Sequence, residues 1–283
     1  MAAIGLIMHL GRDEASTHAR DLAVWLLNEG HSVRVPPDDA EVSGMANHMV
    51  EPANFADGLD VCVTLGGDGS ILRAVELLGT AVVPILGVDH GQLGYLTEVE
   101  PSGAQTAVAR VLQGDFEVDE RMLVSVLIRS DGGEERHFAL NEAVVERAAD
   151  ANTIRLAVDL DDEFFTTYAA DGLIVATPTG STAYAFSARG PIIDPTHSAL
   201  LLTPVSPHML FDRSLVLAPS TRVRLTIDGH RPATVSVDGR RVAIVGDGDT
   251  IECSAADHSA QMVSLGPRRF HRVLKAKFGL NDR

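Results

Sequence analysis

The sequence predicts an α/β fold joined to an all-β one. An N-terminal doubly wound parallel sheet is followed by a C-terminal antiparallel, β-rich, sandwich-like domain, with the tail returning to the first domain. Three observations predict this. Apolar strand-like runs alternate with helical patterns as far as about residue 113. Beyond Gly114, short β-branched runs separated by turn-forming pairs replace that rhythm. Finally, 283 residues that are 45% hydrophobic are enough for two cores. The expected domains are therefore 1–113 with the tail 266–283, and 114–265.

The elements follow in order. Ala3–Met8 is a short apolar run. No basic residue precedes it, so it reads as a first buried strand and not as a signal sequence. Asp13–Asn28 carries apolar residues near helical spacing and stops at Gly30. Val33–Val35 reads as a strand halted by Pro36-Pro37. Leu59–Leu65 is apolar and β-branched, a buried strand. Ser70–Leu78 is helical, Val82–Val88 is another buried strand, and Thr106–Leu112 is a last helix. Strand, helix and strand in this sequence imply a parallel sheet.

In the second half the expected strands are Leu123–Arg129, Phe138–Glu146, Thr153–Leu160, Phe164–Tyr168, Leu173–Thr177, Val223–Ile227, Thr234–Val237 and Thr250–Cys253. Asp131-Gly132, Asp171-Gly172 and Asp238-Gly239 mark turns among them. A helical interruption is expected near Ala183–Arg189, and the tail Arg268–Leu280 holds both lysines, Lys275 and Lys277.

Composition narrows the function. A net charge of −16 argues against general nucleic-acid binding. No apolar run reaches the roughly 18 residues of a spanning helix, so no membrane partner is expected. Cys62 and Cys253 have no partner at metal-ligand spacing and suit a reducing cytoplasm. With lysine confined to the tail there is no Walker-type loop, and a phosphate clamp elsewhere must use arginine. The eleven histidines show no metal-ligand spacing either.

Three segments concentrate the chemistry. The first is Gly66-Gly67-Asp68-Gly69-Ser70, after a buried strand and at the start of a helix, where open α/β sheets bind ligands. Glycines admit a phosphate close to the main chain, and the helix N-terminus favours an anion. Asp68 among them either accepts a proton from a hydroxyl nucleophile, helps hold a metal, or simply caps the helix in a tight turn. The second is Asp171 to Tyr184, a buried strand ending in the hydroxyl-rich loop Thr177-Pro178-Thr179-Gly180-Ser181-Thr182, with Ser181 or Thr182 placed to cap a helix. The third is Asn141-Glu142, suited to a ribose or an adenine, though such a pair at a strand end is usually just solvated.

Together these segments resemble the NAD kinase family, which phosphorylates the 2′-hydroxyl of the adenosine ribose of NAD to give NADP. The resemblance is carried by GGDGSILRA, LNEAVVER, DGLIVATPTGSTAYAFSARGPI and PVSPHMLFDRSLV, and runs from the first strand to about Leu280. It implies that Asp68 is the catalytic carboxylate and that Asp68, with Gly69 and Arg73 lining the site beside it, also binds NAD. It also implies that Asn141, Glu142, Asp171 and the segment Thr182, Ala183, Tyr184, Ala185, Phe186 and Ser187 hold NAD. Gly66, Gly67, Ala169 and Arg240 are secondary candidates. ATP with Mg2+, or polyphosphate, is the implied donor, with no metal ligand assigned to the protein. A cytoplasmic homo-oligomer, dimer or tetramer, is implied as well.

Two positions depart from the family pattern. Asp89 stands where the family has asparagine, in Gly87-Val88-Asp89-His90-Gly91-Gln92-Leu93-Gly94-Tyr95-Leu96, and Arg240 stands where a glutamine is common. The alternatives to a kinase of NAD are a non-catalytic NAD(P)-binding module and a lipid or sugar kinase sharing the Gly-Gly-Asp-Gly loop.

Overall fold

The computed structural model describes residues 1–91, 94–148, 153–266 and 270–280. It divides into two compact units, Met1–Glu120 with Ala260–Arg283, and Arg121–Ser259.

The first unit runs β1 (Ala3–Met8), α1 (Asp13–Asn28), β2 (Ser32–Arg34), α2 (Pro37–Ser43), α3 (Pro52–Phe55), β3 (Val61–Gly66), α4 (Asp68–Leu78), β4 (Pro84–Asp89) and α5 (Ala104–Leu112). The strands lie in the order β2-β1-β3-β4, all parallel. Gln261 and Met262, near the end of the last strand of the chain, extend the sheet in parallel beside Pro84 and Ile85. Every residue of β3 is buried, as a strand covered on both faces requires. Ile4, Leu6, Val61, Val63 and Leu65 pack with Ala19, Leu22 and Leu26 of α1 and Ala107 and Val108 of α5. The alternate residues face the other way, where a methyl on Gly5 would meet Phe55 of α3 and one on Gly87 would meet Ile71 of α4. The sheet is doubly wound.

Helices α2 and α3 were not expected. Pro36-Pro37 reads as a strand stop, but a proline at the first position also starts a helix, and both α2 and α3 begin on one. The helix from Ser70 begins two residues earlier, at Asp68.

The second unit contains β5 (Glu117–Ser130, whose first residues belong to the first unit), β6 (Gly133–Ala139), β7 (Glu142–Arg147), β8 (Ile154–Leu160), β9 (Glu163–Ala170) and β10 (Gly172–Ala176). The short helix α6 (Tyr184–Ser187) follows, then β11 (Leu200–Val205), β12 (Leu215–Leu217), β13 (Val223–Ile227), β14 (Ala233–Val237), β15 (Arg240–Val245) and β16 (Thr250–Ser264, whose residues from Ala260 belong to the first unit). One antiparallel sheet has the order β12-β11-β10-β7-β14-β15. The other includes the antiparallel run β16-β13-β8-β9. Ala143, Val145, Leu173, Val175 and Val235 of the first sheet share a core with Leu156, Val158, Tyr168 and Leu225 of the second. That is a sandwich. Within it, Asp131-Gly132 and Asp238-Gly239 are two-residue hairpin turns.

Several expectations need correction here. The run Phe138–Glu146 is two strands, β6 and β7, broken at Leu140-Asn141. The strand at Thr250–Cys253 continues to Ser264, and β11, β12 and β15 were not expected. Asp171-Gly172 is no hairpin turn: β9 and β10 belong to different sheets, and the pair carries the chain from one to the other. The helix expected over Ala183–Arg189 spans only Tyr184–Ser187. The tail forms α7 (Phe270–Lys277), whose Lys277 ammonium sits 4.4 Å from the centre of the Tyr95 ring. Gln92, Leu93 and Arg268 lie outside the described residues.

Candidate functional site

Two groups of residues stand out, one in each unit. In the first, β2 and β3 flank β1 on opposite sides, so the chain reverses direction across the sheet between β1 and β3. Loops beyond the carboxyl ends of strands at such a point form a crevice. A cavity of about 470 Å³ lies there, lined by His9, Leu10, Gly11 and Arg12 after β1, by Gly67, Gly69, Ser70 and Arg73 after β3, and by Gly91 after β4. A methyl on Gly67 or Gly69 would meet no atom within 4 Å, so both glycines leave space open beside the start of α4.

Asp68 opens α4, and its carboxylate is held from across the loop. Oδ2 accepts the Tyr95 N–H at 2.9 Å and Oδ1 the Leu96 N–H at 3.0 Å. The loop can come this close because residue 94 is glycine, where a Cβ would stand 2.4 Å from Asp68 Oδ1. A carboxylate has about four lone-pair sites, so two N–H donors fix it and still leave acceptor capacity. Asp89, the departure from asparagine, has a local task. Its oxygens accept the N–H groups of Gly91 at 2.8 Å and Gly94 at 3.3 Å, which shapes the same loop.

Arg12 and Arg73 supply positive charge to this cavity in an acidic chain. Arg12 donates to the carbonyl of His90. Arg73 donates to the Met8 carbonyl at 2.9 Å and ion-pairs with the fully buried Asp39. Burial raises the Asp39 carboxyl above its usual range, opposed by the Met8 N–H and by Arg73. Arg12 and His9 were not singled out in the sequence, although their place just after a parallel strand was the available signal.

The second group covers the face of the six-stranded sheet opposite the sandwich core. Glu142, Val144 and Glu146 alternate onto this face of β7, and Val144 packs there with Ile174, Leu201 and Ala185 of α6. The hydroxyl-rich loop is laced to Leu140-Asn141. The Thr177 hydroxyl donates to the Leu140 carbonyl at 2.6 Å, and the Thr177 N–H to the Asn141 carbonyl at 2.9 Å. Gly180 is obligatory, since a Cβ there would stand 2.1 Å from the Asn141 oxygen. The second and third sequence segments are thus one structure.

Glu142 is 6% exposed. Its carboxyl receives the Tyr184 N–H, while Oε2 has no hydrogen-bond partner. Burial, together with the nearby Asp238 carboxylate, pushes its pKa up to about 8. Tyr184 is 39% exposed, and its hydroxyl is pushed up by partial burial and by the charges of Glu146, Asp171 and Glu142. Glu142, Asp171 and Tyr184 therefore converge, Glu146, which the sequence reading passed over, belongs with them, and Asn141 directly precedes Glu142 in the chain. Asp171 also pairs with Arg147, 3.2 Å away.

The remaining candidates are placed as follows. Phe186 and Ser187 are exposed on α6, whereas Ala185 is fully buried against the sheet. Ala169 is in β9, where its carbonyl accepts the His208 N–H. Arg240 opens β15 and is exposed. Ser181 and Thr182 do not cap α6, whose N-cap is Ala183. Both sit in a 3-10 turn, Thr179–Thr182, and their hydroxyls turn back to the carbonyls of Pro178 and Thr179. Among the described residues, no group of three or more His, Cys, Asp or Glu could hold a metal ion, and no helix is long and apolar enough to cross a membrane.

Residues 4–116 match the ATP-NAD kinase N-terminal domain family, and residues 140–265 match the ATP-NAD kinase C-terminal domain family. The chain is 39% identical over 283 residues to the NAD kinase of Heliobacterium modesticaldum, with 98% of each chain covered. It is 35% identical to the NAD kinase of Mycobacterium bovis, covering 97% of this chain and 95% of that one. Among solved structures, yeast NADH kinase complexed with NADH superposes with a TM-score of 0.91 at 26% identity, covering all of this chain and 89% of that one. An NAD kinase from Archaeoglobus fulgidus in complex with ATP shares the fold at a TM-score of 0.76 and 24% identity, covering 99% of this chain and 100% of that one. Matched along nearly its whole length in sequence, the chain belongs to the NAD kinase family.

Proposed function

We propose that this protein is an NAD kinase that transfers the terminal phosphoryl group of ATP to the 2′-hydroxyl of the adenosine ribose of NAD. The observation that carries this is Asp68: a carboxylate immobilised by two main-chain N–H groups, with acceptor capacity left, beside a glycine-lined cavity furnished with two arginines. Full-length similarity to NAD kinases favours this over a binding-only NAD(P) module and over a lipid or sugar kinase.

The roles follow from the chemistry of each group. Asp68 orients the 2′-hydroxyl and takes its proton as the new O–P bond forms. General-base assistance of this kind contributes roughly 10²–10⁴-fold. Gly67 and Gly69 leave room for phosphate at the start of α4, where the helix dipole favours negative charge, while Gly66 lets Ser70 pack against the end of β3. Arg12 and Arg73 keep donors in hand after their protein contacts, because a guanidinium has five. Asn141, Glu142, Asp171 and Tyr184 hold the nucleotide, with Thr182, Ala183, Phe186 and Ser187 around them, while Ala185 anchors α6 to the sheet.

The isolated Asp68 carboxylate fits a magnesium ion that arrives on the phosphates of ATP better than one resident in a protein cage. Bound there, the ion supplies charge neutralisation on the phosphates. A cytoplasmic homo-oligomer is part of the same proposal. The test is incubation with NAD and Mg-ATP, with NADP measured by an NADP-specific dehydrogenase. NADP formation is expected; no product from folded protein, with NADH and polyphosphate also tried, overturns the reading.

A further inference from the structure

We propose that Asp238 is a positioning residue of the nucleotide site, holding the main chain of Leu140–Glu142 so that the side chains of Asn141 and Glu142 face the ligand. This rests on the reading of Asn141 and Glu142 as nucleotide-binding residues.

Three consecutive amides converge on this one side chain. Asp238 Oδ2 accepts the Leu140 N–H at 2.7 Å, and Oδ1 accepts the N–H groups of Asn141 at 2.8 Å and Glu142 at 3.0 Å. The contact is reciprocal, since the Asp238 N–H donates to the Glu142 carbonyl at 3.0 Å. The amides need such a partner because the chain changes strand here: β6 ends at Ala139 and β7 begins at Glu142. Amides at a break in the ladder must be satisfied by something other than the sheet.

Turn chemistry does not explain why this residue is an aspartate. Asp238 and Gly239 have φ of +48° and +80°, the left-handed pair of a two-residue hairpin turn. Asn-Gly makes that turn equally well. An asparagine, however, has one acceptor oxygen and would turn an NH₂ group toward a main-chain N–H. Only a carboxylate accepts from all three amides. It does so despite a cost, because it places negative charge next to buried Glu142. A role confined to the hairpin gives no reason to accept that cost.

Burial first, and the same neighbour second, hold Glu142 in its protonated state. The groups facing that carboxyl are Asp238 from the β14–β15 turn and the Tyr184 N–H from α6, in a site that is 6% exposed. Held neutral near pH 7, Glu142 can donate a hydrogen bond as well as accept one, and its Oε2 lacks any partner within the protein. A nucleotide offers acceptors in its base and its ribose hydroxyls. Asp238 thus fixes the direction of the group that meets them and adds to the burial that keeps it protonated.

The experiment compares wild-type enzyme with Asp238→Asn in steady-state kinetics and in calorimetric titration with NAD alone, from pH 5.5 to 9.5. For the variant the expected result is an NAD KM and Kd raised about tenfold or more. Its kcat stays within about threefold, and the KM for ATP is unchanged. In the wild type NAD affinity falls as pH rises through about 8, the Glu142 value; in the variant the midpoint of that fall moves to lower pH. Wild-type protein that neither binds NAD nor forms NADP overturns the functional reading and the inference with it. Wild-type protein that binds NAD, beside a variant with unaltered affinity and pH profile, overturns the inference alone. Should the variant fail to fold, hydrogen exchange on the wild type decides. The amides of Leu140, Asn141 and Glu142 are protected without NAD if Asp238 holds them, and rapid exchange at all three contradicts the proposal.

Discussion

Asp39 and Arg73 form an ion pair in which the carboxylate is wholly buried and the guanidinium, 30% exposed, lines the cavity beside Asp68. The pair sets which way Arg73 points, so a residue with no surface of its own helps shape the cavity beside Asp68. Asp39→Ala leaves Arg73 and the Met8 N–H without their partner. Breaking a fully buried pair costs about 3–5 kcal/mol, and the exposure of Arg73 reduces this to about 2–3 kcal/mol. Urea denaturation measures that loss, and the KM for ATP rises alongside it. An unchanged unfolding midpoint contradicts this role for the pair.

Asp68→Asn keeps the helix start but removes the proton acceptor. The expected outcome is a kcat lowered by about 10²–10⁴-fold, with NAD affinity within a few-fold of wild type. Kinetics and NAD titration on the same preparation separate the two. Turnover near the wild-type rate takes Asp68 out of the chemistry.

Glu142 makes stability depend on pH in a definite direction. Its folded value, about 8, lies above its ordinary 4.5. The native state therefore holds a proton that the unfolded chain releases between these values, and stability falls as pH rises from about 4.5 to about 8. Glu142→Gln removes this loss. Relative to wild type, the variant gains on the order of 2–4 kcal/mol between pH 5 and pH 9. Urea midpoints at pH 5, 7 and 9 provide the comparison, and parallel curves contradict a neutral Glu142.

Gly180→Ala tests whether the hydroxyl-rich loop and Asn141 are one unit. The added methyl would lie 2.1 Å from the Asn141 carbonyl oxygen, which is main chain and cannot step aside. Overpacking of this kind costs about 1–3 kcal/mol. The affinity for NAD should fall while the KM for ATP holds. Equal effects on both substrates point to a general loss of structure instead.

The parallel sheet was legible because strands covered on both faces are written as unbroken apolar runs, as in β3 and β4. The position of Asp68 was legible because glycines surround it between a strand and a helix. What was missed depends on distant pairing. β15, RRVAIV, has one buried residue in six and carries little pattern of its own. The break at Leu140-Asn141 shows only when Asp238, almost a hundred positions away, is seen to hold it. Arg12 and Glu146 are ordinary charged residues until the fold gathers them beside the residues that were predicted.

A structure of the protein with NAD bound tests the account at its centre. The account predicts the ribose 2′-oxygen at hydrogen-bonding distance from an Asp68 carboxylate oxygen, about 2.6–3.2 Å or through one water. NAD bound with that oxygen out of reach of Asp68, and no water joining the two, contradicts it.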